Sequence, residues 1–246
     1  MRPAVEIAVQ DAEGAATARA NGADRVELCT ALGVTGGLTP SAGLLDAVCA
    51  VGIDVHALIR TRPGGFVYSD AEVDVLAAGV AAAVRLGARG VVIGALHADG
   101  TVDAGATGRL LAAARDAEQR AGRRIDVTFH RAIDAAADPI AALTVLAGLG
   151  VDRVLTSGGA ARAGDGLDVL RALVAADTGV EVMAGGGVTA EAFPAIRGTG
   201  VHAVHLSAKR SVRDRGVAGP GGGAASDLEM TDAGLVRAAT RAAHRP

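Results

Sequence analysis

One pattern repeats along the whole chain: a short apolar segment with strand periodicity is followed by a helical segment, at intervals of roughly 30 residues. Eight strands are predicted, at residues 5–9, 25–29, 54–60, 90–95, 125–131, 153–157, 180–184 and 202–208. Strands that alternate with helices form parallel sheets, and eight units in 246 residues match the closed (β/α)₈ TIM barrel. The alternative, an open doubly wound sheet, is disfavoured because no dinucleotide-binding glycine pattern follows the first strand.

Capping and stop signals predict where the helices lie. The predicted helices span residues 11–21, 39–50, 69–86, 104–121, 138–148, 167–176, 189–197 and 232–244. A glycine-rich segment, residues 216–223, precedes the last helix and is expected to be flexible. Because no shift in composition marks a boundary, residues 1–246 are predicted to form a single domain.

Composition and charge restrict the possible partners. The net charge of -3 gives no reason to expect nucleic acid or a membrane as a partner. No apolar run is long enough to cross a bilayer. The chain enters a strand at Val5 without the charged and apolar regions of a signal peptide, so a cytoplasmic location is expected.

The interior of the predicted barrel is unusually polar. One side of each strand faces the helices and the other faces the axis. On this basis Glu6 and Arg25 point inward, where we expect a salt bridge. Further inward residues follow at the carboxyl ends of the strands, where barrel enzymes hold their active sites. These mouth residues are Glu27, Cys29, Arg60, His130, Ser207 and Lys209.

Three mouth residues are candidates for acid–base catalysis. His130 can exchange protons near neutral pH. Glu27 becomes an acid or a base at that pH if burial raises its pKa. Asp134 adds a carboxylate close to His130 at the end of the fifth strand.

A second group of residues is suited to holding an anionic substrate. Arginine binds carboxylate or phosphate with two parallel hydrogen bonds. A glycine run before a predicted helix start at Thr189 exposes backbone N–H groups to an anion. Lysine offers either a cation or, if desolvated, a Schiff-base amine. The predicted substrate-binding residues are Arg60, Arg62, Arg131, Ser157, Gly185, Gly186, Gly187, Ser207 and Lys209.

The metal-binding inventory is small. The pairs of closely spaced cysteines or histidines that mark structural zinc or metalloprotease sites are absent. Cys29, with His130 and His205 at the same end of the barrel, is the candidate ligand for copper, because thiolate suits Cu(I).

Several sequence blocks together resemble the CutC family of copper homeostasis proteins. They are residues 22–29 (GADRVELC), 36–41, 59–69, 128–132, 153–158 and 185–187. The resemblance implies a TIM-type barrel, a cytoplasmic homodimer or homotetramer, and copper binding through cysteines at the mouth. Of these cysteines only Cys29 is present, since Ala8 and Leu206 occupy positions where relatives can carry the others. The block that usually reads Ser-Ala-Arg contains Lys209, and a shared cation favours anion binding there.

Two functions follow from these observations. The first is a CutC-type copper homeostasis protein that binds Cu(I) through Cys29. The alternative is an isomerase or lyase that acts on a small anionic, phosphorylated substrate, with Glu27 and His130 moving protons.

Overall fold

A computed structural model describes residues 2–214 and 228–244, and in it eight parallel strands close into a barrel in chain order. The predicted TIM barrel is confirmed; the glycine-rich segment 216–223 lies outside the described residues. The barrel strands are β1 (Ala4–Val9), β2 (Arg25–Leu28), β3 (Asp54–Leu58), β4 (Gly90–Ile93), β5 (Asp126–Phe129), β6 (Arg153–Thr156), β7 (Glu181–Gly185) and β8 (Ala203–Leu206).

Helices surround the strands, and most of them begin at a capping side chain. Ser69 forms a capping box with Glu72, and Asp11, Ser41 and Asp138 accept hydrogen bonds from the first turns of their helices. The helices are α1 (Ala12–Ala20), α2 (Leu32–Thr35), α3 (Ala42–Cys49), α4 (Asp70–Arg85), α5 (Ala104–Ala121), α6 (Pro139–Leu149), α7 (Leu167–Ala175), α8 (Phe193–Arg197) and α9 (Ala233–His244).

The structure differs from the predicted elements in three places. Helix α8 begins at Phe193, whereas Thr189 was predicted to cap it, and the Thr189 hydroxyl accepts a hydrogen bond in a preceding turn instead. The loop after β2 contains the short helix α2. Two further strands, β9 (Lys209–Val212) and β10 (Leu228–Thr231), pair antiparallel outside the barrel.

The barrel has an apolar exterior face and a polar interior, as predicted. Val5, Ile7 and Val9 of β1 are fully buried against the helices. Inside, Arg25 Nε donates a hydrogen bond to Glu6 Oε2 at 2.5 Å, so the predicted salt bridge is confirmed. This charged pair lies inside the barrel, and neither of its members is among the residues that line the pocket described next.

Within the described ranges no helix has the length and apolar character needed to cross a membrane.

Candidate active site

A pocket of about 360 Å³ opens at the carboxyl ends of the strands. It brings together most of the residues predicted from the sequence, because each of them ends a strand or follows one directly. Those lining it are Glu27, Arg60, His130, Arg131, Gly186, Gly187, Ser207 and Lys209, and the wall also includes Phe66 and His205.

Arg60 is a buried cation held in place by neutral partners. Its Nη1 donates to the carbonyl oxygens of Thr35 (2.8 Å) and Gly37 (3.1 Å), and its Nη2 donates to that of Gly64 (2.7 Å). The guanidinium carbon lies 5.4 Å from the centre of the Phe66 ring. Arg60 Nε has no hydrogen-bond partner, and no carboxylate in the described part of the chain forms an ion pair with this side chain.

Glu27 is a buried carboxyl group with one free oxygen. Its residue is 5% exposed, and its Oε2 has no hydrogen-bond partner. Burial raises the pKa of Glu27 to about 7, although the charge of His205 acts in the opposite direction. The carboxyl group can therefore take up or release a proton near neutral pH, as the sequence suggested.

His130 is a buried residue in the wall of the pocket. Burial, together with the charge of Arg60, lowers the pKa of its ring to about 3. The ring therefore stays neutral at neutral pH and does not cycle through an imidazolium. Its Nδ1 accepts a hydrogen bond from the Ala132 N–H at 3.1 Å, and its Nε2 has no partner. His130 thus presents an uncharged ring to the pocket, with Nε2 free of protein partners.

His205 connects the pocket with Glu6 in the barrel interior. Its Nδ1 lies 2.7 Å from Glu6 Oε1. Donor atoms of Glu6, Glu27 and His205 all lie within 4.8 Å of one another, a spacing that would suit a divalent cation. However, both oxygens of Glu6 are already hydrogen-bonded, one to Arg25 and the other to His205. We therefore interpret this cluster as an acid–base network.

From the sequence, His205 was predicted only as a copper ligand, and its hydrogen bond to Glu6 was not predicted. The two residues are 199 positions apart, so no local pattern connects them. Closure of the barrel could have predicted this contact, because it pairs β1 with β8. In that register Glu6 lies opposite His205.

The two other cations of the pocket are both neutralised. Arg131 Nε donates to Asp134 Oδ2 at 2.7 Å, and Lys209 forms an ion pair with Glu229 of β10. Gly186, with a φ of +101°, allows Arg131 to lie against the backbone, because a Cβ there would be 3.0 Å from the guanidinium carbon. The paired, partly exposed Lys209 does not have the desolvated environment that a Schiff-base lysine needs.

The glycine run does not form the predicted helix-terminal anion site. Gly185 belongs to β7, and a Cβ there would be 2.5 Å from a Leu155 methyl carbon. The helix that follows begins only at Phe193 and has five residues. The glycines therefore serve close packing around the mouth.

Asp134 and Ser157 form a support beneath the mouth and are not among the pocket-lining residues. Asp134 accepts hydrogen bonds from Thr156 Oγ1 (2.5 Å) and from the backbone N–H groups of Ser157 and Gly159. The Ser157 hydroxyl donates to the Ala160 carbonyl oxygen at 2.6 Å. The expected catalytic carboxylate thus holds the loop that follows β6.

Arg62 is also placed outside the pocket. Its guanidinium pairs with Glu72, donates to the Val67 carbonyl oxygen at 2.7 Å and lies over the Tyr68 ring at 4.8 Å. These contacts fix the loop between β3 and α4.

Cys29 lies inside the barrel but not on the pocket surface. Its residue is fully buried and packs in an apolar cluster with Leu58 and Val92. Burial raises the pKa of this thiol, with the Glu27 charge adding to the effect. The thiolate form that binds Cu(I) is therefore disfavoured. Cys29 and Cys49 are both free.

A larger cleft, of about 780 Å³, lies at the opposite end of the barrel. Its charged side chains neutralise one another: Arg115 pairs with Asp152, and Arg153 pairs with Glu181. This cleft has no unpaired buried group to match those at the mouth.

These features define a (β/α)₈ barrel protein with a polar pocket at the mouth. The CutC family model matches residues 3–210, and the chain belongs to the CutC family. It is 43% identical over 216 residues to the human copper homeostasis protein cutC homolog, a match that covers 87% of this chain and 76% of that protein. It is 44% identical over 214 residues to a family protein CutC of Xylella fastidiosa, covering 86% and 77% respectively.

Solved structures agree with this assignment. A CutC structure from Streptococcus agalactiae has a TM-score of 0.73 and 30% identity, over 83% of this chain and 98% of that one. A 2,3-dimethylmalate lyase has a TM-score of 0.60 with 18% identity, over 84% and 76% respectively, and this likeness shows the fold alone.

Proposed function

We propose that the mouth pocket is the active site of an enzyme that moves a proton on a small anionic substrate, as an isomerase or a lyase does. The observation that carries this proposal is the buried guanidinium of Arg60, which is 7% exposed and has only neutral partners. A bound carboxylate or phosphate supplies the missing counter-charge, and arginine is well suited to bind either group.

Two other arginines inside this barrel, one of them only partly buried, support the proposal by contrast. Arg25 is paired with Glu6, and Arg153 is paired with Asp126 and Glu181. An unpaired buried charge costs several kcal/mol, so an unpaired cation that lines a pocket is expected to attract an anion.

The groups beside Arg60 supply the proton chemistry. Glu27, with a pKa of about 7, can take a proton from carbon and return it without leaving the neutral range. The free Nε2 of His130 can donate a hydrogen bond to an oxygen on which negative charge develops. Such proton transfers need no redox cofactor.

The name of the human relative supports a second candidate function, the binding of Cu(I) through Cys29. The buried thiol is the only sulfhydryl among the inward residues predicted for the mouth. Its packing between Leu58 and Val92 gives the copper function less support than the acid–base function.

Titration of the metal-free protein with Cu(I), held in a competing chelator, tests the copper function. Tight stoichiometric binding that is lost in Cys29→Ser supports a copper role. Cys49→Ser is the matched control, because Cys49 lies on α3 away from the mouth. Absence of binding above the chelator rules out this function for the protein.

A ligand screen followed by isotope exchange tests the enzymatic function. Small phosphorylated sugars and hydroxy acids are first screened for thermal stabilisation, which reports binding to the folded state. Each ligand found is then incubated with the protein in D₂O. We expect deuterium to enter a carbon next to a carbonyl group, and we expect Glu27→Gln to abolish the exchange. A ligand that binds but exchanges equally fast with Glu27→Gln contradicts the proposed role of Glu27.

The proposal keeps the cytoplasmic location and the homodimeric or homotetrameric state expected from the sequence. It includes no nucleic acid or membrane partner.

A further inference from the structure

We infer that the two histidines of the pocket carry their ring protons on opposite nitrogens, which makes His205 the proton acceptor that faces the substrate and Glu6 the residue that positions it. This inference rests on the proposed function, since it assigns an additional group to the same pocket. It concerns hydrogen-bond geometry at two sites that can be measured without a substrate.

The tautomer of His130 follows from its backbone contact. The Ala132 N–H can only donate, so His130 Nδ1, 3.1 Å away, must accept and cannot carry a proton. A neutral ring then carries its proton on Nε2. That nitrogen has no protein partner and belongs to a residue that lines the pocket. His130 is thus a hydrogen-bond donor toward the substrate.

The tautomer of His205 follows from Glu6 in the opposite sense. Burial alone would raise the pKa of Glu6, but the charge of Arg25 and the hydrogen bond from His205 hold it well below its usual range. An ionised carboxylate has no hydrogen to donate, so His205 Nδ1, 2.7 Å from Glu6 Oε1, must carry the proton. Burial acts to lower the pKa of His205, but the charge of Glu27 and the hydrogen bond to Glu6 raise it overall. Nε2 therefore has the lone pair in the neutral ring, which forms above that raised pKa.

A carboxylate that holds one imidazole nitrogen as a donor leaves the other nitrogen oriented as a base, as in catalytic triads. Glu6 is 0% exposed and is itself held by Arg25, so His205 has a rigid support. His205 also lines the pocket. A ring nitrogen of His205 and a carboxylate oxygen of Glu27 lie within 4.8 Å of each other, so both groups can contact neighbouring atoms of one small substrate.

This arrangement specifies the substrate class more closely. We expect an anionic compound that carries a carbonyl group and a neighbouring hydroxyl group. Glu27 takes the proton from the carbon that bears the hydroxyl group, the C–H electron pair forms a C=C bond, and the carbonyl electron pair moves onto oxygen. The His130 N–H stabilises that oxygen, while His205 Nε2 accepts the hydroxyl hydrogen. Return of the protons to the neighbouring carbon and to oxygen completes an isomerisation with no change in net oxidation state.

Nitrogen-15 NMR of protein labelled at histidine tests the inference directly. The chain has six histidines, so the ring signals can be assigned with His130→Gln and His205→Gln. At alkaline pH, where imidazole is neutral, we expect the Nε2–H form for His130 and the Nδ1–H form for His205. The Nε2–H form at His205 overturns the inference. His97→Gln, at an exposed position, is the control and should leave both pocket signals unchanged.

A second variant tests the positioning role of Glu6. Because it also removes the counter-charge of Arg25, circular dichroism must first show that the variant is folded. Glu6→Gln keeps a side chain of the same size but removes the charge that requires Nδ1 to be the donor, so we expect His205 to populate both tautomers. An unchanged Nδ1–H signal in this variant overturns the positioning role of Glu6.

Binding of inorganic phosphate distinguishes this inference from the proposed function. We expect the wild-type protein to bind phosphate and Arg60→Gln to lose most of that binding, whichever tautomer His205 adopts, because the anion contact is assigned to Arg60. If phosphate binds and the His205 ring has the Nε2–H form, the inference about the tautomers is wrong, whereas the proposed anion site at Arg60 is supported. If the tautomers are opposite and phosphate does not bind, the proposed function fails instead.

Discussion

Arg25 Nε donates a hydrogen bond to Glu6 Oε2 at 2.5 Å, and Glu6 is fully enclosed by the barrel. This pair lies inside the barrel and fixes the carboxylate that contacts His205, a residue of the mouth pocket. The position of His205 therefore depends on a charge pair whose members cannot be removed singly without cost.

Arg25→Leu is predicted to lower the free energy of unfolding by about 3–5 kcal/mol, because it leaves Glu6 buried without its cation. Chemical denaturation measures this change. Arg2→Ala, which removes an exposed pair with Asp24, is the control and should cost less than about 1 kcal/mol. Equal losses in the two variants would show that the Arg25–Glu6 pair is not important for stability.

Glu27 is predicted to make the stability of the protein depend on pH. Its pKa rises from 4.5 to about 7 on folding, so between these values the folded state retains a proton that the unfolded state releases. The stabilisation is complete below pH 4.5 and is lost as the pH rises through about 7, a change of about 3 kcal/mol in the free energy of unfolding.

Denaturation curves of Glu27→Gln, measured across this pH range, check the prediction. Glutamine does not titrate, so the stability of the variant relative to the wild type should increase as the pH rises from 4.5 to about 7. A constant difference would mean that the pKa of Glu27 does not change on folding.

Gly94 is predicted to be essential for the position of the His130 ring. A Cβ at residue 94 would be 2.5 Å from His130 Nδ1, and the ring is enclosed by its neighbours. Gly94→Ala should therefore destabilise the protein by about 1–3 kcal/mol and shift the ring signals of His130. Thermal unfolding and histidine NMR measure the two effects.

Gly108 offers a matched control on helix α5. A Cβ there meets no atom within 4 Å, so Gly108→Ala should stabilise the helix by roughly 0.5–1 kcal/mol. If Gly94→Ala lowers the free energy of unfolding no more than Gly108→Ala does, His130 is not packed closely against residue 94.

The sequence predicts the barrel and most of the pocket for a simple reason. Strand periodicity identifies the inward side chains, and parallel strands in a barrel direct their carboxyl ends to one mouth. Strand order alone therefore groups Glu27, Arg60 and His130 at that mouth. The Glu6–Arg25 pair follows in the same way, because both side chains point inward on adjacent strands.

The hydrogen-bond partners of Arg60 and Asp134 could not be predicted, because they come from loops. Arg60 is held by carbonyl groups of residues 35, 37 and 64, whose orientation depends on the conformations of two separate loops. Asp134 looked catalytic beside His130, yet its oxygens are used by the loop after β6. At Thr189, the predicted helix start was wrong because Pro194 fixes the first turn of α8 further along the chain.

Isothermal titration of inorganic phosphate into the protein tests the central claim, that Arg60 is an anion-binding cation at the mouth. We predict one site in the wild-type protein, binding weakened by about 10- to 100-fold in Arg60→Gln, and unchanged binding in Arg62→Gln. Arg60→Lys keeps the charge without the guanidinium fork and should lie between them, with circular dichroism confirming that each variant is folded. Absence of phosphate binding in the wild type, or equal binding by folded Arg60→Gln, would contradict the account.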